Sequence, residues 1–287
     1  MNSALQTEDM HSSSLPSAPA ALSVAGSDSG GGAGIQADLA AFRYFGVFGT
    51  TVITAVTAQN PKAVSAVEAI SPDTVTAQLH AVLSEIDVTA AKTGMLFSAE
   101  TIAAVASVFR RYPEIPLVVD PVMVATSGAK LLEDGAIRAL THSLLPLAAI
   151  ITPNLPEARI VTGRALTDVS EIQRAARELA RRYDAVVMIK GGHSAQNPGC
   201  DVVSDSDTVW ELSSDGIQAQ TTHGTGCSLS AAVTAAMACG DEPLTALQRG
   251  KAYVYGALRN CVQVGPSVWA MQPPPTLPQD AVCCRVL

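Results

Sequence analysis

The stretch ALSVAGSDSGGGAGIQADLAAFRYF, residues 21–45, decides the fold. It opens on small and apolar residues that suit a buried strand. It then passes through the consecutive glycines Gly30, Gly31 and Gly32 and takes up helical spacing from about Ala33 to Phe45. A strand, a glycine-rich turn and a helix in this order form the first half of a βαβ unit, and the next stretch, TTVITAVTA (50–58), is β-branched and strand-like.

The same alternation continues along the chain. SPDTVTAQLHAVLSEI (71–86) begins with a serine cap and a proline at the first helical position, and its apolar residues recur at helical spacing. Strands are predicted at DVTAAKTG (87–94), PLVVDPV (116–122), LAAIITPN (147–154) and AVVMIKGGH (185–193). Helices are predicted at AETIAAVASVFRRY (99–112) and DVSEIQRAARELARRY (168–183). CDVVSDSDTVWELSS (200–214) reads as a hairpin turning at SDSD, and two helices follow, from Thr225 to about Ala238 and from Pro243 to about Cys261.

This pattern predicts an α/β domain over residues 20–265, with a central, mostly parallel sheet flanked by helices and right-handed crossovers. No Gly-, Ser- or Pro-rich linker and no repeat interrupts it. Residues 1–19, polar and Ser/Pro-rich, are expected to be a disordered extension, and 266–287 an irregular Pro-rich tail.

Composition narrows the function. Apolar residues make up 48% of the chain and aromatics 4%, which suits small-residue helices packed on a parallel sheet. A net charge of -8 argues against nucleic acid as a partner, so any anionic ligand must be held by local donors. The start lacks the basic and apolar regions of a signal peptide, and no apolar run approaches the roughly 20 residues of a membrane span. The six cysteines form no Cys-x-x-Cys pair, so zinc has little support; reduced thiols and a cytoplasmic setting are expected.

In an open α/β sheet, ligands bind beyond the carboxyl ends of the strands, and four segments fall there. AGSDSGGGAGIQAD brings backbone close to a ligand but lacks a clean Gly-x-Gly-x-x-Gly. Asp120, in VVDPVM, and Glu157, in ITPNLPEA, end neighbouring strands. They suit Mg²⁺ held through water, while Asn154 with Glu157 three residues on equally suits a helix-capping box. Lys190 leaves an apolar strand and meets two glycines, as a phosphate lysine or as a surface lysine. HGTGCSLSAA (223–232) sets backbone N–H groups at a helix N-terminus, an anion site without basic side chains. No Gly-x-x-x-x-Gly-Lys-Ser/Thr motif occurs.

Together, AGSDSGGGAGIQADL, GTTVITAVTAQN, AAKTGML, VVDPVMVATSG, ITPNLPEA, KGGH and HGTGCSLSAA resemble the hydroxymethylpyrimidine/phosphomethylpyrimidine kinases of thiamine biosynthesis, within the ribokinase-like superfamily. The resemblance runs from about Ser23 to Lys251 and weakens after Cys261, where VGPSVWAMQPPP departs from the family pattern. It implies a three-layer ribokinase-like fold, ATP and Mg²⁺, and phosphorylation of 4-amino-5-hydroxymethyl-2-methylpyrimidine and then of its monophosphate. A homodimer is a further family expectation.

Carried over by position, the resemblance implies that Gln59 pairs with the aminopyrimidine edge. Gly26, Ala33, Met95 and Val122 would line the ring, with Asp38 near that pocket. Asp120 and Glu157 would serve the magnesium–phosphate region, Asn154, Lys190 and Gly226 the nucleotide, and Gly224, Thr225 and Gly226 the anion hole. Cys227 stands where most of the superfamily has an aspartate base. A thiol at a helix N-terminus is expected to have its thiolate favoured by the dipole, so Cys227 is read as proton acceptor or as orienter of the hydroxyl, against the plainer reading of a small helix-start residue. Pyridoxal or pyridoxine phosphorylation and non-catalytic pyrimidine binding are the competing functions.

Overall fold

The computed structural model describes residues 18–124, 131–133, 135–191 and 199–287. The extension expected over residues 1–19 lies almost wholly outside them. The central strand β1 (Ala20–Asp28) pairs in parallel with β2 (Phe48–Asn60) on one side and β4 (Val88–Thr93) on the other. β5 (Leu117–Val119), β6 (Ile150–Ile151) and β7 (Val186–Ile189) extend the parallel array.

Antiparallel strands close both flanks. β3 (Ala63–Ala69) lies on β2, and the predicted hairpin β8 (Cys200–Ser204) and β9 (Val209–Ser213) follows β7. The turn between β8 and β9 is fixed by Asp205, whose Oδ1 accepts from the N–H groups of Asp207 and Thr208.

Helices cover both faces, and the alternation of the strands assigns each layer. Leu117, Val119, Ile151, Val187 and Ile189 face one cluster with α2 (Pro72–Leu83), α3 (Ala99–Phe109), α4 (Ala136–Ala139), α5 (Leu155–Thr162) and α6 (Val169–Tyr183). Val118, Ile150 and Met188 face the other way, against α7 (Thr225–Ala238) and α8 (Pro243–Arg259). Further along that face, α1 (Gly34–Tyr44) and α7 pack on β1 and β4 through Ala21, Ala41, Phe42, Ala90 and Ala231. Small residues let these helices lie close to the sheet, which explains the Ala-rich composition. The capped starts are as predicted: Ser71 and Asp168 accept from the N–H groups of Thr74 and Glu171.

The tail corrects one expectation. Read as irregular over 266–287, it instead supplies β11 (Val268–Ala270), which pairs with β10 (Val262–Gly265) just before it, and then β12 (Cys283–Val286), which pairs antiparallel with β9. Without β12 the main-chain groups of β9 would form an open sheet edge. The prolines expected to keep the tail irregular instead pack it. Pro274 and Pro278 lie over Gly256 of α8, where a Cβ would fall 2.7 Å from Pro274 Cβ. No helix among the described residues is long and apolar enough to cross a membrane.

Candidate active site

The carboxyl ends of the parallel strands open into a cleft of about 330 Å³. Ala33, Gln59, Asp120, Val122, Asn154, Glu157, Lys190, Gly224, Thr225, Gly226 and Cys227 all line it. Three predicted residues do not. Gly26 and Met95 lie behind the wall, where a Cβ on Gly26 would fall 2.7 Å from Met95 Cε, and Met95 packs with Ala55, Leu131 and Val122. Asp38 is fully buried behind the cleft, paired with Lys92.

One end of the cleft is organised by a residue that sequence reading noticed without giving it a role. Asp28, at the end of β1, is 2% exposed. Its carboxylate accepts from the N–H groups of Gly30 (2.7 Å), Gly32 (3.1 Å) and Ala33 (2.8 Å), and His223 Nε2 lies 3.0 Å from Oδ2. The Gln59 side chain also favours its charged form. Burial works to raise the Asp28 pKa, but the bonds from His223, Gly30, Gln59 and Ala33 outweigh it and lower it to about 2. Gln59 presents a side-chain amide, with both a donor and an acceptor, to the cleft.

The same clamp seats the anion loop. Gly224, the N-cap of α7, has φ +80°, and a Cβ there would lie 1.8 Å from Gly32 O, so only glycine allows the two loops to touch. Thr225 N–H and Oγ1 turn back to Thr222 O. The next N–H groups, on Gly226 and Cys227, belong to the first helical turn, whose donors have no partner within the helix. At the positive end of α7 they are open to an anion.

Across the cleft, an isolated parallel bridge pairs Asn154 with Lys190 and sets the ends of β6 and β7 side by side. Lys190 Nζ lies 2.8 Å from Asp120 Oδ1. Burial opposes its charge, but Asp120 and Glu157 outweigh that and raise the ammonium pKa. Asp120 also accepts from Ser230 Oγ at 3.3 Å and Thr152 Oγ1 at 3.4 Å. A Cβ at Gly226 would sit 3.5 Å from Lys190 Nζ and 3.6 Å from Asp120 Oδ2, so lysine, aspartate and anion loop meet at one point.

The two readings of Glu157 are both realised. It completes a capping box, with Asn154 N–H donating to Oε2 at 2.8 Å and Glu157 N–H donating to Asn154 Oδ1 at 2.9 Å. It also lines the cleft beside Asp120, and burial, only partly offset by Lys190, pushes its pKa up to about 7. Among the described residues no group of three or more His, Cys, Asp or Glu could cage a metal. Two neighbouring carboxylates beside a lysine and a helix N-terminus fit Mg²⁺, which keeps several waters and completes its shell with substrate oxygens.

Cys227 corrects the electrostatic expectation. Burial pushes its thiol up to about 11; Lys92 favours the thiolate, Asp38 and Asp120 disfavour it, and the backbone amide of Gly34 favours it. Desolvation wins over the helix terminus, and the resting group is a thiol. A second missed pair, Lys251 and Asp201 at 2.6 Å, ties α8 to β8, with Lys251 Nζ also donating to Gly199 O at 2.8 Å and Asp201 Oδ1 accepting from Gly191 N–H. Lys251 could have been flagged as a charge inside an apolar helix face.

Comparison with known proteins fits this geometry. The profile of the phosphomethylpyrimidine kinase family matches residues 28–272. A hydroxymethylpyrimidine/phosphomethylpyrimidine kinase of Rhizobium meliloti is 50% identical over 239 residues, 83% of this chain and 90% of that protein. The thiamine biosynthesis bifunctional protein ThiED of Geobacter sulfurreducens is 44% identical over 244 residues, 85% of this chain and 50% of that longer protein. Among solved structures, the phosphomethylpyrimidine kinase of Clostridium difficile superposes with TM-score 0.75 at 39% identity, covering 83% of this chain and 99% of its own. The pyridoxal kinase of Staphylococcus aureus in complex with AMP-PCP and pyridoxal gives 0.84 at 31%, covering 95% and 99%. A cleft lined by Lys190, Asp120 and a helix N-terminus on a ribokinase-like sheet, a family match over residues 28–272 and 50% identity over 239 residues to one relative leave one assignment: the chain belongs to the phosphomethylpyrimidine kinase family.

Proposed function

We propose that the chain transfers the γ-phosphoryl group of ATP to the hydroxymethyl oxygen of 4-amino-5-hydroxymethyl-2-methylpyrimidine, and then a second phosphoryl group to the monophosphate, in the supply of thiamine diphosphate. The observation that carries this is the set of groups that one cleft brings together. Gln59 and Val122, Lys190 with Asp120, and the α7 N-terminus with Cys227 all line it.

Each residue then has a task. The Gln59 amide, with donor and acceptor together, pairs with the aminopyrimidine edge. The N–H groups of Gly226 and Cys227 and the Lys190 ammonium receive the charge of the transferring group, which is where phosphoryl transfer draws most of its catalysis. Asp120 and Glu157 would hold Mg²⁺ through water, and the ion would neutralise phosphate charge. In the first transfer a bond forms from the hydroxymethyl oxygen to phosphorus, the bond to the ADP oxygen breaks, and the hydroxyl proton passes to the minor thiolate form of Cys227, giving the thiol. In the second the acceptor is a phosphate, already largely ionised, and no proton acceptor is required.

Pyridoxal is the second reading, favoured by the likeness to the pyridoxal kinase complex. The donor and acceptor of the Gln59 amide together favour an aminopyrimidine edge. Measuring kcat/KM for hydroxymethylpyrimidine and for pyridoxal under the same ATP and Mg²⁺ decides between them. A higher value for pyridoxal overturns the proposal.

A further inference from the structure

Lys251 on α8 and Asp201 on β8 border the cleft, yet both are buried, at 7% and 6% exposure. Lys251 Nζ meets Asp201 Oδ2 at 2.6 Å and also donates to Gly199 O at 2.8 Å. Desolvating two charges is costly, and an apolar pair of similar volume often serves a fold as well or better. The pair therefore asks for a use beyond packing.

That use lies at the second oxygen of Asp201. Oδ1 accepts from the N–H of Gly191 at 2.9 Å, and Gly191 directly follows Lys190. β7 and β8 pair through Val187 with Ser204, Met188 with Val203 and Ile189 with Val202. The ladder ends there, one residue short of Lys190, and the Asp201 side chain takes over where it stops. A Cβ on Gly191 would run into Cys200 O, so glycine lets the end of β7 lie against the start of β8.

On the other flank, Lys190 N–H donates to Pro153 O at 2.8 Å, and Lys190 bridges Asn154. The main chain that carries the lysine is thus held from both sides, by the backbone after β6 on one and by a carboxylate on the other. From that base the Lys190 ammonium reaches Asp120 at 2.8 Å.

We infer that Asp201 is a positioning residue for Lys190: through the Gly191 N–H it fixes the chain from which the lysine reaches the transferring phosphoryl group, and Lys251 locks the carboxylate in place. This rests on the role of Lys190 in phosphoryl transfer given above. A misplacement of about 1 Å can cost a reacting group on the order of a hundredfold in rate, so the anchor of the lysine bears on the chemistry.

Two double variants separate the acceptor from the charge. Lys251→Met/Asp201→Leu replaces the pair by apolar side chains of similar size and cannot accept from Gly191. Lys251→Met/Asp201→Asn is equally neutral but keeps an oxygen for that N–H. Both lose Lys251, so any direct contact of its ammonium with a substrate is lost in both alike. The readouts are single-turnover rates of each phosphorylation at saturating ATP and Mg²⁺, and KM for hydroxymethylpyrimidine. They are taken with Lys190 present and in a Lys190→Met background. The leucine variant should be about tenfold or more slower than the asparagine variant in both transfers, with the same KM for hydroxymethylpyrimidine. In the Lys190→Met background the difference should shrink below about twofold, because residues acting as one unit do not add. Lys251→Met/Asp201→Val takes the place of the leucine variant if thermal denaturation shows that one unfolded. Equal rates for the two variants, or a difference that persists without Lys190, overturn the inference and leave the pair a structural one. A Lys190→Met chain that keeps the wild-type rate overturns instead the phosphate role of Lys190, and the inference with it.

Discussion

Raising the pH should accelerate the first phosphorylation and leave the second nearly unchanged. Burial holds the Cys227 thiol at about 11, so at pH 7 the thiolate is a minor form, on the order of one molecule in 10⁴. If the hydroxymethyl proton leaves through that thiolate, the rate follows its population and rises about tenfold per pH unit, or roughly a hundredfold between pH 7 and 9. The phosphate acceptor of the second step has lost its proton by about pH 6, so its rate should be flat across the window. The assay is single-turnover chemical quench with each acceptor separately, at saturating ATP and Mg²⁺, with a brief jump from neutral buffer. Cys227→Ser should lose most of the first-step rate, with a smaller loss in the second. Cys227→Asp should retain more first-step rate than Cys227→Ser and show a flatter profile, because a carboxylate is ionised throughout. A flat first-step profile in the wild type, or the same slope in Cys227→Ser, would refute the reasoning.

Gln59→Leu should lower kcat/KM for hydroxymethylpyrimidine at least about tenfold while leaving the KM for ATP in place, since an unpaired polar edge costs about 1–3 kcal/mol; steady-state kinetics with each substrate varied checks this. Glu157→Gln keeps an amide able to close the capping box with Asn154, so the fold should survive while the Mg²⁺ concentration for half-maximal rate rises, and Asp120→Asn should raise it too. Unchanged Mg²⁺ dependence in both variants would return Glu157 to a purely capping role. Asp28, lowered from the usual carboxylate range to about 2, favours the folded state above pH 4 by about 2 kcal/mol, a contribution lost as pH falls from about 4 to 2. The gap between wild type and Asp28→Asn in urea midpoint should therefore close across that interval.

How much of this was legible depended on distance along the chain. The parallel strands, the hairpin at Asp205 and the caps at Ser71, Asn154 and Asp168 are local patterns, and they stand in the structure where the sequence puts them. β3 escaped notice because it is an edge strand exposed on both faces, so its residues carry no burial alternation. β12 was hidden by the prolines before it, whose packing on Gly256 is a tertiary fact. In the site, Asp120, Lys190 and the anion loop were found because each ends a strand or starts a helix. The Asp28–His223 clamp joins residues 195 positions apart, and Asp38 finds its lysine 54 positions on. Lys92 did leave a signal, a charge in the middle of the apolar strand AAKTG, but only the fold reveals its partner. The sign of the Cys227 shift could not be read either, because burial rather than the helix terminus decides it.

The most direct test of the account is mass spectrometry of the products formed from hydroxymethylpyrimidine, ATP and Mg²⁺ by the wild-type chain and by Cys227→Ser. The account predicts that the wild type yields the monophosphate and then the diphosphate. Cys227→Ser should form little monophosphate from the alcohol, yet convert supplied monophosphate to diphosphate. A wild-type reaction that adds no phosphate to the pyrimidine, or a variant that performs the first step as readily as the second, would contradict it.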